Sequence, residues 1–228
     1  MAGADFAAGS LFADLRAACR DDWRAYVEHD FVRRLGAGTL PEAAFRHYLG
    51  QDYLFLIHFA RAYGLAVYKS DTLDDMRYAA NGLANILDVE MGLHVTYCAE
   101  WGLSEAEMAR LPEARETMAY TRYVLERGLA GDLLDLWVAL APCVIGYGEI
   151  GHRLTRDPAV RRDGTLFGAW IEAYGGADYQ RVAAASGDQL DRLFVRRGVA
   201  ARVANLIDTF REATRLETDF WQMGLDAA

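Results

Sequence analysis

Residues 139–152 read ALAPCVIGYGEIGH, and three kinds of chemistry could be built from them. Gly146, Gly148 and Gly151 match the spacing of a dinucleotide-binding loop, with Glu172 roughly 20 residues on, where a ribose-binding acid would stand. That motif works when a strand feeds a tight turn and a helix N-terminus faces the pyrophosphate. The preceding DLLDLWVALAP has helical spacing and ends in a proline that a central parallel strand could not carry. No strand–helix alternation surrounds it, so the match is a decoy. Glu149 and His152 form Glu-x-x-His, the ligand pair that di-iron bundles draw from two of their helices. The chain offers no second copy: Glu90 and His94 are four apart, and His29, His47 and His58 lack an acid three residues before them. A capped or partly exposed helix histidine is the simpler account of His152. The third reading starts from Pro142, which inside a helix removes one backbone hydrogen bond and kinks the axis at a cost of about 3 kcal/mol. Cys143 and Tyr147, four apart, share a helix face, and Gly146 leaves room for a ligand to approach the backbone. A thiol beside a phenol at a kink suits a nucleophile, whereas most buried cysteines are inert packing.

The rest of the chain must position these groups. Its 228 residues suit one domain, spanning 1–228, with a core that needs no staples. The formal net charge of −9 and the lack of a Lys/Arg cluster argue against a nucleic-acid partner, because phosphate binding needs a basic face. Arg161-Arg162 and Arg196-Arg197 are isolated pairs. No apolar stretch approaches the roughly 20 uninterrupted residues of a membrane span. The N-terminus also lacks the basic start and apolar middle of a signal peptide, so no membrane partner and a cytoplasmic location are expected. Cys19, Cys98 and Cys143 are odd in number and widely spaced, which suggests neither disulfides nor zinc.

Apolar residues recur at three and four rather than two, and Ala, Leu, Arg and Glu dominate, so the expected fold class is all-α. One helix is expected to carry Phe12 to Leu35 and stop at Gly36 or Gly38. Further helices are expected near 41–69, 71–100, 113–128, 132–155 and 198–224, with shorter ones near 164–173 and 177–184. Thr39 with Glu42, Ser104 with Glu107 and Ser186 with Gln189 read as capping boxes. The 41–69 helix is apolar around its circumference, which implies neighbours on several sides or burial in an oligomer.

The segments GTLPEAAFRHYLGQDYLFLIHFARAYG, EMGLH, ALAPCVIGYGEIG, WIEAYGG and RLETDFWQMG, in this order and spacing, resemble the TenA/THI-4 family of aminopyrimidine hydrolases, also called thiaminase II. The resemblance covers nearly the whole chain. It implies the helical bundle shared with heme oxygenase, a homotetramer, and hydrolysis of aminomethyl-pyrimidine or thiamin to hydroxymethyl-pyrimidine in thiamin salvage, with no metal or organic cofactor. By motif position it implies that Cys143 is the nucleophile, Glu217 the acid/base and Asp52 the carboxylate that holds the pyrimidine. Tyr120, Tyr147 and Tyr174 match ring-contacting or hydrogen-bonding tyrosines, and Phe55 and Phe220 provide apolar ring contacts. Phe55 stands where some members carry a tyrosine whose hydroxyl assists the thiol; here stacking is kept without that hydroxyl.

These residue types suit the implied reaction. An aminopyrimidine is a flat amidine, so a carboxylate such as Asp52 can accept parallel hydrogen bonds from it and favour the protonated, electrophilic ring. A thiolate adding to that ring lets the amine on the methylene leave, and water then takes its place. Glu217, Phe220 and Trp221 fall at i, i+3 and i+4, which places aromatics beside the carboxyl and predicts a raised pKa. Two other readings stay open at this level: a di-iron oxygenase on the same fold around Glu149 and His152, and a pyrimidine-binding protein without catalysis.

Overall fold

The computed structural model describes residues 9–228, and among them every regular element is helical. The first half of the chain forms α1 (Leu11–Ala18), α2 (Arg20–Val27), α3 (Asp30–Ala37), α4 (Glu42–Lys69), α5 (Leu73–Asn85), α6 (Met91–Glu100) and α7 (Glu105–Met108). The second half forms α8 (Arg115–Ala130), α9 (Leu133–Arg156), α10 (Gly168–Gly175), α11 (Ala177–Arg197) and α12 (Val203–Asp226). A single π-helical turn, Ile86–Glu90, joins α5 to α6. The molecule is an all-α bundle.

The expected long N-terminal helix is instead three short ones. Cys19 closes α1 with its N–H on the carbonyls of Leu15 and Arg16, and the His29 ring nitrogen caps α3 by accepting from the Phe31 N–H at 3.2 Å. A straight rod could not keep Phe12, Trp23, Tyr26 and Phe31 all against α12. Broken twice, the segment stacks Trp23 on Phe210 at 5.5 Å and Phe31 on Trp221 at 4.9 Å. It does end at Gly38, whose φ of 69° is the left-handed cap geometry that glycine adopts without strain.

Of the three expected capping boxes, Ser104 with Glu107 is formed. Thr39 is not a cap: α4 starts one residue after Pro41, and the Thr39 hydroxyl turns back to the Arg34 carbonyl at 3.5 Å. Ser186 and Gln189 lie in the interior of α11, which runs 21 residues instead of stopping near 184. Ala183, Ser186, Leu190 and Leu193 are buried along it, so burial of one long face overrides a local cap signal. A box formed by Asp132 and Asp135 opens α9.

α9 is the post around which the bundle is built. By length and composition it is apolar enough to cross a membrane, yet it lies inside the bundle against α4, α8, α10, α11 and α12. Its three glycines explain the false nucleotide motif. A β-carbon on Gly146 would fall 2.6 Å from the Tyr26 hydroxyl oxygen, and one on Gly148 would fall 2.8 Å from the Ala183 β-carbon. On Gly151 it would meet the Gly175 backbone nitrogen at 2.5 Å. Each glycine admits a different helix, namely α2, α11 and α10. The space expected beside Gly146 for a ligand is therefore filled by Tyr26, whose hydroxyl donates to the Pro142 carbonyl at 3.3 Å.

Candidate active site

Five helices turn chemistry-bearing side chains toward one buried region. α4 contributes Tyr48, Asp52 and Phe55 at intervals of four and three, which places them on one face. α9 contributes Cys143 and Tyr147, α12 contributes Glu217 and Phe220, α8 contributes Tyr120, and α10 contributes Trp170 and Tyr174; all of these are buried.

Asp52 Oδ2 accepts the Tyr48 hydroxyl at 2.9 Å and lies 2.6 Å from His94 Nε2. His94 Nδ1 lies 2.9 Å from the Glu90 carbonyl oxygen, which can only accept, so Nδ1 carries a proton. Burial opposes charge on this ring, but the Asp52 carboxylate outweighs it and His94 is held above the usual histidine range. Asp52 and His94 thus form a buried ion pair. Both bonds fall on Oδ2, so one carboxylate oxygen of Asp52 carries the contacts to Tyr48 and His94. Tyr48 extends the network, accepting the Trp170 indole N–H at 3.1 Å and lying 3.3 Å from the Tyr147 hydroxyl.

On the opposite side Tyr120 donates to Glu217 Oε1 at 2.8 Å. Burial pushes the Glu217 carboxyl up to about 8, with the Tyr120 hydroxyl pulling the other way and the Asp52 charge adding to the rise. The helix spacing of Phe220 and Trp221 predicts this direction. Glu217 also acts on the Cys143 thiol, which burial drives well above the usual thiol range, with Glu217, Glu90 and Asp52 each adding to the effect. Burial and the field of all three carboxyl groups both favour the thiol over the thiolate.

Aromatic rings close the region. Phe55 lies 4.9 Å from Tyr120 and 5.7 Å from Phe220, and Tyr147 lies 4.9 Å from Tyr174 and 5.2 Å from Trp221. A cavity of about 620 Å³ reaches Cys143 between α4, α5, the π turn and α11. That volume is in the range of small-molecule sites.

The eight residues singled out from sequence share this region. Glu149 does not: its carboxylate accepts the Trp23 indole N–H at 3.1 Å and pairs with Arg16 at 3.3 Å, on the side of α9 facing α1 and α2. Among the described residues no cluster of three or more metal-ligating side chains forms. Sequence reasoning missed His94, Glu90, Tyr48 and Trp170. Two signals for them were present: Glu90 and His94 stand one helical turn apart in EMGLH, and Tyr48 precedes Asp52 by one turn.

Fold and site together define a class: a helical-bundle protein whose interior sets a cysteine among carboxyl groups and aromatic rings. The chain belongs to the TENA/THI-4/PQQC family, whose sequence model matches residues 16–227. An uncharacterized protein of Haemophilus influenzae is 40% identical over 206 residues, covering 90% of this chain and 94% of its own length. The aminopyrimidine aminohydrolase of Halalkalibacterium halodurans is 34% identical over 215 residues, covering 94% and 95% respectively. The crystal structure of a TenA family transcription regulator from Silicibacter sp. TM1040 superposes with a TM-score of 0.90 at 50% identity, over 95% of this chain and 97% of that one.

Proposed function

We propose that this chain is an aminopyrimidine aminohydrolase of thiamin salvage, converting aminomethyl-pyrimidine, and thiamin, to hydroxymethyl-pyrimidine with Cys143 as nucleophile. The observation that carries the reading is the meeting of Cys143, Glu217 and Asp52, from three separate helices, within one aromatic-walled region. The aminohydrolase relative, matched along nearly its full length, supports the same reaction class.

In this reading Asp52 Oδ1 accepts from the ring nitrogen or exocyclic amine of the pyrimidine, while Tyr48 and His94 hold Oδ2. The positive charge gained by the ring offsets the carboxylates that keep the thiol protonated, and Glu217 takes the Cys143 proton. Sulfur then adds to the ring carbon beside the substituted one. The carbon–nitrogen bond of the methylene breaks, its electron pair leaving on nitrogen. Glu217 gives up the thiol proton to the freed amine or to solvent, then takes one from water as its oxygen bonds to the methylene, and returns that proton to the sulfur as the cysteine is expelled and the ring regenerated. Burial matches Glu217 to this exchange, since an acid/base works best with a pKa near the working pH.

A reducing cytoplasm suits the three unpaired, buried cysteines. Self-association, with a homotetramer as the expected state, is favoured by one end of the bundle. There Tyr68, Leu73, Leu129, Val195 and Val199 are exposed at 86%, 65%, 67%, 84% and 57%. Apolar patches of this kind mark interaction surfaces.

Incubating the protein separately with aminomethyl-pyrimidine and with thiamin, and measuring hydroxymethyl-pyrimidine from each, tests the reaction. Product from the wild type and none from Cys143→Ala is the expected pair of results; equal turnover by the two proteins rejects the nucleophile.

A further inference from the structure

Of the three carboxyl groups that act on Cys143, Glu90 is the one that the reaction above does not use. The π turn that ends in it inserts an extra residue into the helical ladder, a distortion that is frequent at functional sites. Its carboxyl accepts the Tyr174 hydroxyl at 3.1 Å, while its backbone carbonyl orients His94. Glu90 lines the 620 Å³ cavity together with Cys143, whereas Asp52 and Glu217 do not. It also lines a neighbouring cavity of about 580 Å³ on the α6 and α10 side. The remaining charged residues lining the Cys143 cavity, Asp178 and Arg181, are paired with each other at the exposed rim. Around Glu90 the same cavity presents the rings of Phe59, Tyr63, Tyr78 and Tyr179.

A half-buried carboxylate among aromatic rings is the chemistry that recognises an organic cation, by direct charge pairing and by attraction to the ring faces. If Asp52 holds the pyrimidine and Cys143 attacks it, the cavity reached from Cys143 is where the substituent on the methylene lies. We propose that Glu90 is the specificity-determining residue for that leaving group, selecting substrates whose methylene nitrogen carries a positive charge over neutral N-acylated ones. The proposal rests on the hydrolase reading for its placement of the substrate. An aliphatic amine is an ammonium ion at neutral pH, and a thiazolium is cationic at any pH, so both expected substrates meet the condition. Cleavage removes the charge: the bonding pair goes to nitrogen, which departs as neutral ammonia or a neutral thiazole. Glu90 therefore holds the substrate more tightly than the departing product, and its contribution is read in substrate binding.

The test measures binding by calorimetry at pH 8 in Cys143→Ala protein, which removes turnover, with and without the further change Glu90→Gln. The probes are aminomethyl-pyrimidine, its N-formyl derivative and hydroxymethyl-pyrimidine. With Glu90 present, the ammonium probe should bind roughly tenfold to a hundredfold more tightly than the other two. Glu90→Gln should erase that preference and leave the two neutral probes within threefold. Equal binding of all three probes before the change overturns the proposal without requiring the variant to fold. A uniform loss on all three probes after the change also overturns it, because a merely structural carboxyl would weaken them alike. Turnover by the wild type is measured separately, so a protein that binds as described without hydrolysing anything rejects the hydrolase reading and leaves the charge selection standing.

Discussion

Glu217→Gln should make the protein more stable and inactive at the same time, and the gain in stability should grow with pH. The amide keeps the size of the side chain and an oxygen for the Tyr120 hydroxyl, so the part of the difference that varies with pH is the ionisation of the carboxyl. In the folded protein this carboxyl titrates at about 8 instead of an ordinary 4.5. Below pH 4.5 it is protonated in both folded and unfolded chains and the substitution has no charge effect. Between 4.5 and 8 the unfolded chain loses the proton that the folded chain keeps, so wild-type stability falls as pH rises, by about 1.4 kcal/mol per pH unit. Over three and a half units that comes to about 5 kcal/mol, and above pH 8 the difference levels off. Glu90, pushed up to about 7 by burial, adds a similar slope to both proteins and cancels in the comparison. Urea unfolding of the two proteins at pH 5, 6, 7, 8 and 9 reads the effect directly. The curves should separate steadily to pH 8 and then run parallel, with turnover lost at every pH. Parallel curves across the whole range would mean that the carboxyl is already charged in the folded protein at pH 5, and the assignment of Glu217 as a proton carrier near neutrality would be wrong.

Other outcomes are expected on the same grounds. Cys143→Ser should lower kcat by at least about a thousandfold while the far-ultraviolet circular dichroism stays that of the wild type. Tyr120→Phe removes a hydroxyl that lowers the Glu217 pKa, so the acidic limb of the kcat/KM profile should move to higher pH. His94→Ala strips the partner from a buried Asp52 and should cost about 3–5 kcal/mol in denaturant unfolding at pH 7. Gly151→Ala puts a β-carbon 2.5 Å from the Gly175 backbone nitrogen, and should destabilise the fold by about 1–3 kcal/mol and raise KM as Tyr174 shifts.

The helical class was legible because nearly every segment repeats at three and four, and α4, α8, α9 and α12 begin and end close to where that pattern does. What periodicity hides is curvature. Residues 11–37 have the pattern of one rod, and the breaks at Cys19 and His29 follow from the shape of α12, which no local window contains. The apolar spacing through 71–100 continues across a π turn that adds one residue to the ladder and changes which faces Glu90 and His94 present. The carboxyl groups at 52 and 217 were found through the company they keep in family motifs. Glu90 and His94 were weighed as metal ligands and set aside on spacing. Their actual relation is a carbonyl to a ring nitrogen within a turn and a ring nitrogen to Asp52 across two helices, and the second is a tertiary fact.

The helix carrying the thiol is fastened by side chains it does not have. At three places along α9 a neighbouring helix sits where a methyl group would otherwise be, and two of these notches flank Tyr147 by a single residue. Such a joint has no graded response: the smallest possible enlargement already collides with an adjacent helix. Variation that tunes this pocket will therefore accumulate on α4, α5 and α11, where walls can be resized one side chain at a time, while α9 behaves as an inherited datum from which the other distances are set.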